Sequence, residues 1–134
     1  MEYSRNKLQE LAMICTYQYL FYLKDETRPT PAQILKDVTG NEIKDNDPFI
    51  KEVFTCVLKN TQELVDIINP ALNKWTFERL GLIERAVLLN SLAQVKYMNQ
   101  TKAVAIDVAV DLAKKYCDDQ AYKFINGVLD NILW

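Results

Sequence analysis

The chain has 134 residues, 49% of them hydrophobic and 25% charged, with a net charge of -2 and a pI near 5.2. That length suits one domain, 1–134, with a real core, and 3 Gly with 4 Pro favour long regular elements over a loop-rich sandwich. The absence of histidine excludes Ser-His-Asp and Cys-His nucleophile systems and imidazole metal sites. Cys15, Cys56 and Cys117 form no C-x-x-C pair and read as small buried thiols of a reducing, cytoplasmic compartment.

From about Ser4 to Asp25 the chain reads as a helix. Leu8, Leu11, Ala12, Cys15, Tyr19 and Tyr22 share one face, and Met13, Ile14, Tyr17, Leu20 and Phe21 nearly fill the opposite one. A helix apolar almost all round belongs at the centre of a bundle or under a partner. Arg5 and Lys7 ahead of this run outline a secretory leader. Glu10, Thr16, Gln18 and the tyrosines at 17, 19 and 22, with no small-residue cleavage site behind them, argue instead for a packed helix. No segment reaches the roughly 18 apolar residues of a membrane span.

Thr30-Pro31-Ala32-Gln33 has a capping threonine, proline at the first helical position and glutamine three residues after the cap, which predicts a short helix to about Val38, stopped by Gly40. Residues 41–46 are polar loop. Asp47-Pro48 opens a helix of about twenty residues with Ile50, Val53, Phe54, Val57, Leu64 and Ile68 inward, ended by Asn69-Pro70. Short helical turns carry Trp75, Phe77 and Leu80. A helix follows from Leu82 to about Met98, and an alanine-rich one from Thr101 or Lys102 to Tyr116. Asp118 or Asp119 caps the last, to Leu133. Adjacent aspartates before a helix are caps rather than a metal site. The fold class is all-α, about seven helices, with subdomains 1–69 and 70–134 meeting near Pro70.

Ala121, Phe124, Ile125, Val128, Leu129 and Ile132 form one stripe of the last helix, interrupted by Asn126 and Gly127. A glycine within a helix costs roughly 1 kcal/mol relative to alanine. Close helix packing is the first explanation for Gly127, and an external ligand the second.

The run K-F-I-N-G-V-L-D (Lys123 to Asp130), preceded by V-A-I-D-V-A-V-D-L-A-K-K-Y (Val104 to Tyr116), resembles the C-terminal signature of the NusB family. The region around Trp75 and Leu80 to Leu88 resembles that family's R-L-x-x-I/V-D/E-R/K-A-I/V-L stretch. Arg5 to Tyr17 resembles its R-x-x-A-R-E-x-A-L-Q-A-L-Y. The resemblance covers almost the whole chain. It implies two packed three-helix bundles and a bacterial transcription antitermination factor rather than an enzyme. Its basic N-terminal helix would bind a boxA-type single-stranded RNA element, together with the ribosomal protein NusE, and act on the RNA polymerase elongation complex. No cofactor, metal or membrane is implied, and both a monomer and a homodimer fit.

Carried onto this sequence, the RNA-binding residues are Arg5 and Lys7 for phosphates, Tyr17 for stacking on a base, Lys123 for a phosphate and Asn126 for a base edge. Glu84, with Arg85 beside it, is the partner-binding position. Each also has a plain structural reading: a solvated helix start for Arg5 and Lys7, core for Tyr17, helix packing for Asn126, and a solvated pair for Glu84 and Arg85. Several polar positions of the pattern are changed. Gln9 stands for an arginine, Leu89 for another, and S-L-A-Q-V, with Ala93 and Gln94, replaces A-L-Y/F-E-L. Taken as lost surface contacts, these changes support an alternative: a NusB-fold protein-interaction module that has lost useful RNA binding.

Overall fold

Helices form where caps and apolar periodicity place them, in a computed structural model that describes residues 3–132 and Trp134. They are α1 (Arg5–Tyr22), α2 (Pro31–Thr39), α3 (Pro48–Ile68), α4 (Leu82–Tyr97), α5 (Lys102–Tyr116) and α6 (Ala121–Asn131). The described residues contain no strand. Six α-helices stand where about seven were expected, because the stretch after Pro70 makes only 3-10 turns, at Asn69–Leu72 and Phe77–Arg79. The last helix, expected to reach Leu133, ends at Asn131: Ile132 is already extended (φ -69°, ψ 137°), and Leu133 lies outside the described residues.

The caps do what their side chains predict. Ser4 Oγ accepts from the Lys7 amide, and Thr30 and Gln33 close a reciprocal capping box. Asp47 accepts from the Phe49 amide and Thr101 from that of Val104. Gly40 ends α2 with a φ of 77°, open to glycine at little cost. Neither candidate aspartate is the N-cap of α6, which is Gln120; Asp118 stands two residues ahead, where its Oδ1 accepts from the amides of Gln120 and Ala121.

Helix α1 is apolar all round because it is a wall shared by two cores. Leu8, Leu11, Ala12 and Cys15 pack with Ile34, Leu35, Phe49, Ile50, Val53 and Phe54 from α2 and the first half of α3. Met13 faces the other way, into a larger core built from the second half of α3 and from α4, α5 and α6, and Ile14, Tyr17 and Leu20 pack against it. Between the halves of α3, Asn60 leaves the helical region (φ -127°, ψ 18°) while its Nδ2 donates to the Cys56 carbonyl. A side chain bonding back to the preceding turn competes with the helical ladder there.

A polar seam lies inside the α1–α4 contact. The Gln9 and Gln94 amides exchange hydrogen bonds of 2.7 and 2.9 Å, with the two residues only 4% and 3% exposed. The Thr16 hydroxyl donates to Asn90 Oδ1 at 2.7 Å. Leu89 and Ala93 are fully buried alongside. Gln9, Leu89, Ala93 and Gln94, four of the positions where the chain departs from the family pattern, are therefore interior. The expectation that they are lost surface contacts is corrected by burial.

Candidate functional site

The N-terminus of α4 is the fixed point of the site. Glu84, at the third position of the helix, accepts from the Gly81 amide at 3.2 Å, and Arg85 Nε donates to the Leu80 carbonyl at 3.0 Å. Both partner-binding candidates thus also tie down their own helix start. Glu84 still opens into a shallow depression with Tyr17, Leu82, Ile83 and Cys117. Tyr17 is half-buried, packed against the larger core with its ring 6.3 Å from that of Phe21. The structure brings Tyr17 and Glu84 together, although the sequence separates them into RNA and partner roles.

That depression continues through Gly81, Glu84 and Cys117 into a wider one lined by Trp75, Arg79, Leu80, Asp118 and Phe124. Trp75 is 54% exposed, held out by a turn in which Asn73 takes a φ of 58°. Asn69 Oδ1 accepts from the Phe77 amide and closes that turn. An exposed Trp beside a half-buried Phe and an acidic rim is a surface suited to a protein carrying apolar and basic groups. Sequence reasoning did not assign Trp75 or Phe124 to the site. The signal for Trp75 was a tryptophan in a turn-rich stretch with no stripe to bury it. Desolvation by burial, with the nearby Glu84 and Asp118 charges adding to it, pushes the Cys117 thiol above its ordinary range.

Lys123 and Asn126 occupy a separate, polar depression between α5 and α6, with Asp107, Asp111, Lys114 and Tyr122. Both are exposed, and among the described residues neither side chain has a hydrogen-bond or ion-pair partner. Gly127 is exposed too, and a Cβ built on it would meet nothing within 4 Å. The close-packing explanation for this glycine is therefore corrected. Gly127→Ala is expected to raise stability by about 1 kcal/mol in a denaturant titration, since only the helix propensity changes. Unchanged or lower stability would show a packing role that the geometry lacks.

Arg5 and Lys7 are both engaged. The Arg5 guanidinium lies 3.9 Å from the centre of the Phe49 ring, and Lys7 Nζ is 3.1 Å from Glu10 Oε1. The other Glu10 oxygen receives Lys115 of α5. The bond from Lys115 holds the Glu10 carboxyl down at about 2, from 4.5, with Lys7 adding to it against the opposing effect of burial. The RNA-binding reading of Arg5, Lys7 and Lys123 expects α1 and α6 within reach of one another, with the three cations in one face. Instead α5 stands between them, tied to α1 through Glu10 and packed along α6.

No group of three or more potential metal-ligating side chains occurs among the described residues, and no described helix is long and apolar enough to cross a membrane. Residues 6–133 match the family described as the NusB family. The chain is 36% identical over 132 residues to the transcription antitermination protein NusB of Macrococcus caseolyticus, covering 97% of this chain and 96% of that one. Among solved structures it is similar to a T. maritima NusB (TM-score 0.80, 23% identity, 97% of this chain and 90% of that one). It is also similar to a chain from a complex of antitermination factors NusB and NusE with double-stranded RNA (TM-score 0.77, 26% identity, 94% and 92%).

Proposed function

Because the chain belongs to the NusB family, a family of transcription antitermination proteins rather than enzymes, we propose that it is an RNA-binding adaptor. It takes up a boxA-type single-stranded RNA element together with the ribosomal protein NusE, and the assembly acts on the elongating RNA polymerase. One observation carries the reading: Tyr17 and Glu84, brought together from α1 and α4, open into a depression that continues to exposed Trp75 and half-buried Phe124. The similar NusB of a solved structure sits in a complex with NusE and double-stranded RNA, which supports NusE and RNA, as partner classes, here.

The mechanism is assembly by mass action. The chain is acidic overall, and Lys7 shares a carboxylate with Lys115, so unaided attraction to phosphate is weak. NusE and RNA binding to neighbouring surfaces reinforce each other, and coupling of about 1.4 to 2.8 kcal/mol turns weak binary affinities into a usable ternary one.

The test is a salt titration of RNA binding with and without NusE. NusE should tighten binding roughly ten- to a hundred-fold, and with two to four phosphates neutralised the slope of log affinity against log salt should be about -1.5 to -3. The double variant Arg5→Ala, Lys7→Ala should bind more weakly with a flatter slope. Its stability should fall by about 1 kcal/mol, because the cation over Phe49 and one partner of Glu10 are lost. Undetectable NusE-assisted binding at low salt would leave the interaction-module reading in its place.

A further inference from the structure

Helix α5 separates the cations of α1 from those of α6, and its own sequence supplies two more at the crossing. Leu112 and Ala113 are buried, so the next two residues, Lys114 and Lys115, emerge on opposite flanks of its exposed face. Lys115 leans toward α1 and shares the Glu10 carboxylate with Lys7. Lys114 leans toward α6, with its Nζ 4.9 Å from the Tyr122 ring centre, in the depression that holds Lys123 and Asn126. Asp111 lines both that depression and the one beside Glu10, so the two adjoin along the outer surface of α5.

We propose that Lys114 and Lys115 are phosphate contacts that carry single-stranded RNA across α5, from Lys7 on α1 to Lys123 on α6. The proposal rests on the RNA-adaptor reading and assigns to it two residues outside the set read from the sequence. Glu10 acts as a positioning residue. Two ammonium groups on one carboxylate leave an excess positive charge, and the Lys7 and Lys115 side chains are 47% and 60% exposed, so both are open to a phosphate oxygen while still held by Glu10. Three carboxylates face the same strip: Glu10, Asp107 and Asp111. They keep the net field low, which matches a strip that needs a partner to hold RNA.

The experiment is a salt titration of a labelled single-stranded oligoribonucleotide binding to the full chain with NusE present. Lys114→Ala and Lys115→Ala should each flatten the slope by about 0.7, and the double variant by about 1.4. Lys115→Arg should keep the slope, as should Lys44→Ala in the exposed α2–α3 connection. Asp111→Asn should tighten binding at low salt. A double variant with the wild-type slope overturns the proposal, including the case in which only its melting temperature falls, because Lys115 is then a structural tie to Glu10. A wild-type chain that binds no RNA with NusE removes the adaptor reading and this proposal with it. Wild-type binding with an unchanged double variant removes this proposal alone.

Discussion

Gln9→Arg alone is expected to destabilise the fold by on the order of 3–5 kcal/mol, the cost of an uncompensated charge inside a helix–helix contact. Gln9 is 4% exposed, and its amide exchanges two hydrogen bonds with Gln94, itself 3% exposed. A guanidinium at that point keeps the donors and loses the acceptor, leaving the Gln94 amide facing a cation with nothing to donate to. Gln94→Glu alone fails in the mirror sense, burying a carboxylate against a neutral amide. Combined, the two changes set an arginine against a glutamate, a pair able to bond in bidentate fashion. The double variant should recover most of the loss, with a coupling energy of about 2 kcal/mol or more in a denaturant-unfolding cycle. Wild-type stability for Gln9→Arg would mean that the seam opens to water.

The same pair marks the limit of what the sequence could tell. Gln9 and Gln94 were visible as departures from the R-E and A-L-Y/F-E-L patterns, but not as neighbours. Residues so far apart in the chain meet only through the packing of α1 on α4. Without that contact, a changed polar residue in an RNA-binding family reads as a lost RNA contact. Caps were legible, because Thr30-Pro31-Ala32-Gln33 and Asp47-Pro48 specify their own local bonds. The two faces of α1 were legible as well, as a helix too apolar to have a solvated side. The break at Asn60 was not, because an asparagine bonding back to Cys56 is one of several local options that tertiary packing selects. At the site, the sequence supplied Tyr17, Glu84, Lys123 and Asn126 but grouped them by family role. The fold pairs Tyr17 with Glu84 and leaves Lys123 with Asn126 on the far flank of α6.

Glu84→Gln is expected to lower the NusE-dependent gain in RNA affinity by about tenfold, equivalent to about 1.4 kcal/mol of coupling, while changing stability by less than about 0.5 kcal/mol. The argument depends on separating the two jobs of this side chain. Its Oε1 accepts from the Gly81 amide and starts α4, and its charge faces the depression shared with Tyr17. Glutamine retains an oxygen for the Gly81 amide and removes only the charge. Glu84→Ala removes both, so it should lose the coupling and about 1 kcal/mol of stability as well. Tyr17→Leu keeps apolar bulk against the larger core and removes the ring, and should also weaken the coupling. Because Tyr17 and Glu84 line one depression, the double variant should lose less than the sum of the two. Coupling that survives Glu84→Gln and disappears only with the stability loss of Glu84→Ala would make Glu84 a helix cap and no more. The partner surface would then have to rest on the exposed Trp75 and on Phe124 beside it.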